Sequence, residues 1–262
     1  MVMDEKRLRS LERDHAADLL EVFSSIQGEG PRIGERHLFV RFSHCDLNCA
    51  YCDTPKCHQP QATFRLEGWP GSRQFQSHPN PVSAQALIGW VAERLDQVPH
   101  RAVSFTGGEP LLHPWMIEAL SPRIRSLGVK TLLETDGMLD VAFRRVQSHI
   151  DIVSLDWKLP SATGQQIDAE PTRSILRDSC GQETYVKLVF AGQSPDEEIL
   201  SAVTSIHEIR PEIPLILQPC TPMGSVRVGP SKDAVARVFE SASRIHGDVR
   251  VIPQVHRMLG VP

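Results

Sequence analysis

Cys45, Cys49 and Cys52 stand at the spacing C-x3-C-x2-C within the run Cys45-Asp46-Leu47-Asn48-Cys49-Ala50-Tyr51-Cys52. Thiolates this close on one loop converge on a single centre more readily than they pair as disulfides, which points to a metal ion or an iron–sulfur cluster. Three ligands is the informative count. A cubane cluster held by three thiolates keeps one iron without a protein ligand, and that iron can bind a small molecule. Cys57 follows Cys52 after four residues, so four thiolates could instead close a zinc tetrahedron. The spacing alone leaves both centres open.

A second constellation is Thr106-Gly107-Gly108-Glu109-Pro110, at the end of an apolar run. Two glycines let backbone approach a ligand closely, and Pro110 fixes the exit. Further polar groups end later apolar runs: Glu134-Thr135-Asp136-Gly137, then Ser154, Asp156 and Lys158, then Gln218-Pro219. Ser and Asp suit ribose hydroxyls, and a Gln amide both donates and accepts; each could equally cap a strand end. Near the N-terminus, Ser24-Ser25-Ile26-Gln27-Gly28-Glu29-Gly30-Pro31 is rich in glycine and polar groups. Arg41, four residues before Cys45, can grip a carboxylate with two prongs or form a structural ion pair.

These groups need a frame. His37–Phe42 alternates as a strand does and leads into the cysteine loop. Further strands are expected at Ala102–Phe105, Val129–Leu133, Ile152–Leu155, Thr184–Phe190, Pro214–Leu217 and Val249–Ile252. Helices are expected from a Ser83 cap to Gln97, and at Trp115–Leu127, Val141–Val146, Asp196–Ile209 and Asp233–Ile245, with Ser194-Pro195 and Ser231 capping the last two and a weak helix near Ser174–Arg177. Strand–helix alternation implies an α/β fold with a mostly parallel sheet, here an open or partial (β/α) barrel of about seven strands. Ligands on such sheets collect at the C-terminal strand ends, where these motifs fall. Residues 1–17 read as a polar N-terminal extension carrying a short helix. Residues 18–36 read as a loop, and a Pro-, Gly-, Gln- and Ser-rich stretch from about residue 56 to 82 as a structureless insertion in a single domain spanning residues 18–262.

The chain has 262 residues and a net charge of −4, without the basic bias of a nucleic-acid surface. No apolar run reaches the length of a membrane span, and Met1–Asp14 lacks the apolar core of a secretion signal. Six cysteines, three of them clustered, suit a reducing cytoplasm, with Cys180 and Cys220 expected as small buried residues.

The cysteine spacing, with Tyr51 before the last cysteine and the Gly-Gly-Glu-Pro turn about fifty residues on, resembles the radical S-adenosylmethionine (SAM) enzymes. Within that superfamily the chain resembles the 7-carboxy-7-deazaguanine synthase family from about residue 20 onward. The resemblance rests on Phe23-x-Ser25-Ile26-Gln27-Gly28-Glu29-Gly30, Gly34 and Arg41, and on the ending Gln254-Val255-His256-Arg257-Met258-Leu259-Gly260-Val261-Pro262. It implies a 4Fe–4S cluster on Cys45, Cys49 and Cys52, with SAM chelating the open iron and one electron releasing a 5′-deoxyadenosyl radical. The implied SAM contacts are Tyr51, Cys52, Asp53, Gly107, Gly108, Glu109, Ser154, Asp156, Lys158 and Gln218. The implied substrate is 6-carboxy-5,6,7,8-tetrahydropterin, met by Ile26, Gln27, Gly28, Glu29, Arg41, Thr106, His256 and the terminal carboxylate of Pro262, and the implied product is 7-carboxy-7-deazaguanine with ammonia. Thr54 corresponds to a Mg²⁺ ligand. A flavodoxin-like electron donor and a homodimer also follow from the resemblance. Asp136 stands where Asn is commoner. The rival readings are an activase of a glycyl-radical enzyme and a zinc-bound interaction module.

Overall fold

The structure, a computed structural model, describes residues 5–59 and 61–261. Helix α1 (Glu5–Arg13) and the short strand β1 (Ala16–Ala17) lead into β2 (Leu19–Ile26) and β3 (Arg36–Phe42), after which the cysteine loop begins. A hairpin of β4 (Thr63–Glu67) and β5 (Phe75–Pro79) follows, then β6 (Val82–Ser83) and α2 (Ala84–Gln97). Strand and helix then alternate through β7 (Ala102–Gly107), α3 (Pro114–Ser126), β8 (Lys130–Thr135), α4 (Asp140–Val146) and β9 (Ile152–Asp156). The chain continues with α5 (Pro160–Thr163), α6 (Glu170–Asp178), β10 (Glu183–Phe190) and α7 (Asp196–Ile209). It closes with β11 (Leu215–Pro219), α8 (Lys232–Ser243), β12 (Val249–Val251) and α9 (Val255–Leu259).

Ten strands form one sheet in the order β12-β11-β10-β9-β8-β7-β3-β2-β4-β5. From β12 to β3 every pairing is parallel, and the antiparallel pairings are β3–β2 and β4–β5. The parallel run arises because each strand is followed by a helix that returns the chain across the outer face. Helices α2, α3, α4, α6, α7 and α8 pack side by side there. Their apolar stripes and the outward strand residues make the main core, with Phe105, Leu133, Val153, Val186 and Leu217 essentially inaccessible. A smaller plug of Ala102, Leu132, Ile152, Tyr185 and Ile216 fills the inner face.

The helix boundaries follow the local signals closely. Ser83 Oγ accepts from Ala86 N at 3.3 Å, and Ser231 Oγ accepts from Ala234 N at 3.1 Å, so both hydroxyls cap as expected. Ser194 does not cap α7; its hydroxyl accepts from Ala191 N at 3.1 Å and from Ser161 Oγ at 2.9 Å, and Pro195 is the cap position.

Four expectations change. Residues 18–36 are not all loop, because β2 occupies Leu19–Ile26 and pairs along the length of β3. Its Leu19, Val22 and Phe23 are buried, while Ser24 is consumed by a hydrogen bond with His100 Nε2 at 3.0 Å. The stretch after residue 56 is not structureless: Phe64 and Leu66 alternate with exposed partners and turn inward, which makes β4 an ordinary half-buried strand. Buried Arg94 of α2 ties it down through Nε to Glu67 O at 3.0 Å. The extension is also docked, since Leu11 is in the main core and Arg7 pairs with Asp18 at 2.6 Å. Cys180 is exposed rather than buried, whereas Cys220 is buried.

Candidate active site

The inward face of the sheet changes character along the strands. Below lies the apolar plug; above it, at the C-terminal ends, Arg41, Thr106, Glu134, Asp156, Lys187 and Gln218 all line one cavity of about 190 Å³. The period-two alternation of strands puts them on a common face, and register aligns them, with Arg41 opposite Thr106, Lys187 opposite Asp156 and Val189 opposite Gln218.

The cysteine loop closes one side of this cavity, and Cys45, Cys49 and Cys52 all line it. The loop is held by backbone, with Ala50 N donating to Thr163 O at 2.8 Å and Ser43 N to Asp18 O at 2.9 Å. His44 Nε2 meets Asp18 Oδ2 at 3.0 Å, so α1 steadies the loop through Arg7 and Asp18. The Gly-Gly turn is the loop's other clamp. Gly108 N donates to Phe42 O at 3.0 Å and Glu109 N to His44 O at 2.8 Å. A Cβ on Gly108 would stand 1.7 Å from His44 O, so only glycine admits this contact. The glycines therefore bring two protein segments together as well as opening backbone to the cavity. Glu109 serves the same clamp: it is fully buried and accepts from Leu111 N, Thr135 Oγ1 and Asp136 N at 2.8–3.0 Å.

Geometry separates the two centres that spacing left open. Among the described residues, no set of ligand atoms within 4.8 Å of one another contains Cys45, Cys49 and Cys52 together. A single zinc ion needs its ligands closer than that, whereas a cubane, with irons at its corners, holds its thiolates further apart. The triad fits a cluster. Next to it, Gln218 Oε1 is buried without a hydrogen-bond partner, an acceptor placed for a cofactor that donates.

Across the cavity lies a network of buried charge. Lys187 Nζ pairs with Glu29 Oε2 at 2.6 Å and Asp156 Oδ1 at 3.1 Å. Lys158 Nζ holds Asp156 Oδ2 at 2.8 Å and reaches Tyr51 Oη at 3.4 Å. Gln254 Nε2 donates to Glu29 Oε1 at 2.8 Å. Gln27 Nε2 donates to Glu134 Oε1 at 2.9 Å, its Oε1 accepts from Glu29 N at 3.1 Å, and Thr106 Oγ1 donates to Glu134 Oε2 at 2.6 Å. Burial pushes the Glu29 and Asp156 carboxyls up, but the lysine charges outweigh it and hold both below the usual range. Burial likewise opposes the Lys187 charge, and Asp156 with Glu29 overcomes it, so the ammonium persists well above its ordinary pKa.

Most of the sequence-derived residues meet here. Ile26, Gln27, Gly28, Glu29, Arg41, Thr106 and His256 line the cavity, as do Tyr51, Cys52, Asp53, Gly107, Gly108, Asp156, Lys158 and Gln218. The tail is brought in by Gly28, whose O accepts from Val255 N at 2.9 Å and whose missing side chain leaves room for His256. Two residues lie off the cavity wall. Ser154 faces the same way as Asp156 but one layer deeper, beside Tyr185, and Glu109 points back into the clamp. Thr54 lies in a second chamber of about 450 Å³, which shares Arg41, Asp53 and His256 with the first. There its hydroxyl accepts from Arg41 Nη1 at 3.2 Å and donates to Asp53 Oδ1 at 2.9 Å. Arg41 also pairs with Glu21 at 3.0 Å, so it is both a structural ion-pair partner and a cavity residue. Pro262 falls outside the described residues. The residue that sequence reading missed is Lys187; its signal was a lone cation inside the apolar run Tyr185-Val186-Lys187-Leu188-Val189-Phe190.

Comparison with known proteins gives the family. The radical SAM superfamily profile matches residues 39–209. The chain is 38% identical to the 7-carboxy-7-deazaguanine synthase of Geobacter sulfurreducens over 93% of its own length and 97% of the relative's. It is 34% identical to that of Methanopyrus kandleri over 92% and 93% of the two chains. In fold it is similar to QueE from Escherichia coli, with a TM-score of 0.58 at 17% identity over 95% and 99% of the two chains. With the cysteine triad, the glycine clamp and the charged cavity on one strand rim, the chain belongs to the 7-carboxy-7-deazaguanine synthase family of radical SAM enzymes.

Proposed function

We propose that this chain converts 6-carboxy-5,6,7,8-tetrahydropterin to 7-carboxy-7-deazaguanine with loss of ammonia, in the formation of 7-deazapurines such as queuosine. The observation that carries the reading is that the Gln27–Glu29 loop, locked by Glu134, Lys187 and Gln254, faces the cysteine triad across a single cavity. Cys45, Cys49 and Cys52 would hold the cluster, and the Gly107-Gly108 carbonyls, Tyr51, Asp53, Asp156, Lys158 and Gln218 would hold SAM. Bound together, cluster and SAM supply a 5′-deoxyadenosyl radical able to take the hydrogen at C6 of the pterin. Ser154 and Glu109 support that half of the site from behind.

On the other half, Glu29 is kept ionised by Lys187 and offers an acceptor to the donor edge of a pterin. Ile26 and Gly28 contribute backbone, Thr106 a hydroxyl, and His256 the wall toward the tail. Arg41 lies where it can pair with the substrate carboxylate. Thr54 offers Mg²⁺ one oxygen ligand, in keeping with an ion that retains water and substrate in its shell; Arg41 must release Thr54 for the ion to bind there. The buried network fixes these groups in advance, which reduces the cost of orienting substrate. A flavodoxin-like electron donor, a homodimer and a cytoplasmic location complete the reading.

The test is anaerobic reconstitution with iron and sulfide, followed by incubation with SAM, reductant and the carboxypterin, with product read by mass spectrometry. Cys49→Ala should lose the iron–sulfur absorbance and the product together. Product from a cluster-free Cys49→Ala protein would overturn the proposal, and a wild-type protein that is first stripped of metal and still takes up one zinc ion but no iron and sulfide would return the site to an interaction module.

A further inference from the structure

Behind the cysteine triad lies a second group of metal-ligating atoms. The ligand atoms of Cys52, Cys57 and His58 all fall within 4.8 Å of one another, and Cys49 is outside the group. Cys57 is buried, at 2% exposure, on the 3-10 turn Pro55–His58, and its thiol lies beside that of Cys52. The turn is fixed against the cysteine loop by His44 N donating to Cys57 O at 2.9 Å. His58 Nε2 is buried and has no hydrogen-bond partner. A buried imidazole nitrogen whose close neighbours are two thiols is a ligand set of the kind a metal ion takes.

We propose that, before the cluster is in place, this chain binds one zinc ion through Cys52, Cys57 and His58, and that this ion and the cluster exclude each other. Two thiolates and an imidazole form a soft, mixed set of the kind zinc takes, with the fourth position open to water. Tetrahedral zinc with bonds of about 2.0–2.3 Å brings such ligands to within about 4 Å of each other, so from a spacing within 4.8 Å the side chains need close by no more than about 1 Å. Binding displaces the two thiol protons to solvent, and no electron is transferred. The exclusion follows from Cys52, which has one thiolate and belongs to both ligand sets. Zinc bound there therefore holds the site closed to iron until it is removed.

The two sets share only Cys52 and differ in two residues each way, so a double dissociation tests the proposal. Full-length protein, stripped of metal under anaerobic conditions, is titrated with Zn²⁺ and with Co²⁺ as a spectroscopic probe, and metal content is measured per chain. Wild type and Cys49→Ala should each bind one ion, with Co²⁺ giving thiolate charge-transfer absorbance. His58→Ala and Cys57→Ser should bind it at least tenfold more weakly, as loss of a ligand costs no less than loss of an outer hydrogen bond. The same two variants should take up iron and sulfide as wild type does, and zinc should block that uptake in wild type but not in them. His58→Ala removes a half-buried side chain and reports on the site even where Cys57→Ser fails to fold. Zinc binding that needs Cys49 and ignores Cys57 and His58 would overturn the proposal, as would full cluster assembly with zinc still bound. The proposed reaction stands or falls separately, on whether the reconstituted wild type turns over the pterin.

Discussion

Two pairs of buried carboxyl groups flank the cavity, and they behave in opposite ways. Glu29 and Asp156 sit against Lys187 and Lys158, and their pKa values fall. Glu109 and Asp136 sit by the cysteine loop, where burial dominates and negative neighbours add to it, Asp46 for Glu109 and both Glu109 and Asp46 for Asp136, so both rise. Both pairs are largely shielded from water, Glu109 and Asp136 the more deeply. The difference is whether a cation was folded in with the carboxylate. The lysine side is complete within the chain, each charge answered by another. The cysteine side is assembled from backbone clamps, and among the described residues no ion pair joins a cation to its Glu109 or Asp136 carboxyl.

The largest expected break in this contrast is Lys187→Met. It leaves Glu29 and Asp156 buried with half their compensation gone, and removing one partner of such a set costs about 3–5 kcal/mol. Urea unfolding of the metal-free protein should show that loss, and a change under about 1 kcal/mol would mean that water already serves these carboxylates. Gly108→Ala attacks the other side. Its Cβ meets backbone rather than a flexible side chain, so the cysteine loop must move, at about 1–3 kcal/mol and with loss of iron on reconstitution. Retention of full iron by Gly108→Ala would show that the clamp is looser than the contact implies.

Acid sharpens the comparison further. Glu29 and Asp156 have folded values below their unfolded ones of about 4, so their stabilisation is complete above that pH and is lost as pH falls through the depressed values. Lys187 is raised above about 10.4, so its contribution is complete below that and is lost only in strong alkali. Between about pH 5 and pH 10 this network should add a constant stability, and the fall below pH 4 should be smaller in Lys187→Met. An equal acid loss in the two proteins would place the titration elsewhere. The smallest effect is expected for Asp136→Asn, which swaps a carboxyl favoured in its neutral form for a neutral amide and should change unfolding by about 1 kcal/mol or less. A loss as large as that of Lys187→Met would mean that Asp136 is paired as an anion.

Much of this arrangement was legible before any coordinates. Strand–helix alternation after residue 100 carries a strong period, and α7 occupies the expected Asp196–Ile209. The region before it was harder to read. Polar Ser24 and Ser25 in β2 and the Gln- and Ser-rich hairpin mask their alternation, because their partners lie across strands rather than along the chain. Glu109 shows the same limit within the site. Its place in a motif marked it as a contact, yet its carboxylate is spent on three protein donors.

What the chain's own order determined was chemistry carried on short spans: three thiols on one loop, two glycines on one turn, a polar segment ahead of the first parallel strand. Such spans are set by residue type and spacing, and a backbone of fixed geometry leaves them little freedom. What the tertiary structure decided was which groups face each other across the sheet. Lys187 and Glu29 are 158 residues apart in the chain, and Gln254 and Glu29 are 225 apart. Strand order and register bring them together, and with them the choice between a charged carboxylate and a neutral one. That choice depends on the cation beside the group and the water kept from it, which is a property of the packed sheet rather than of any local run of residues.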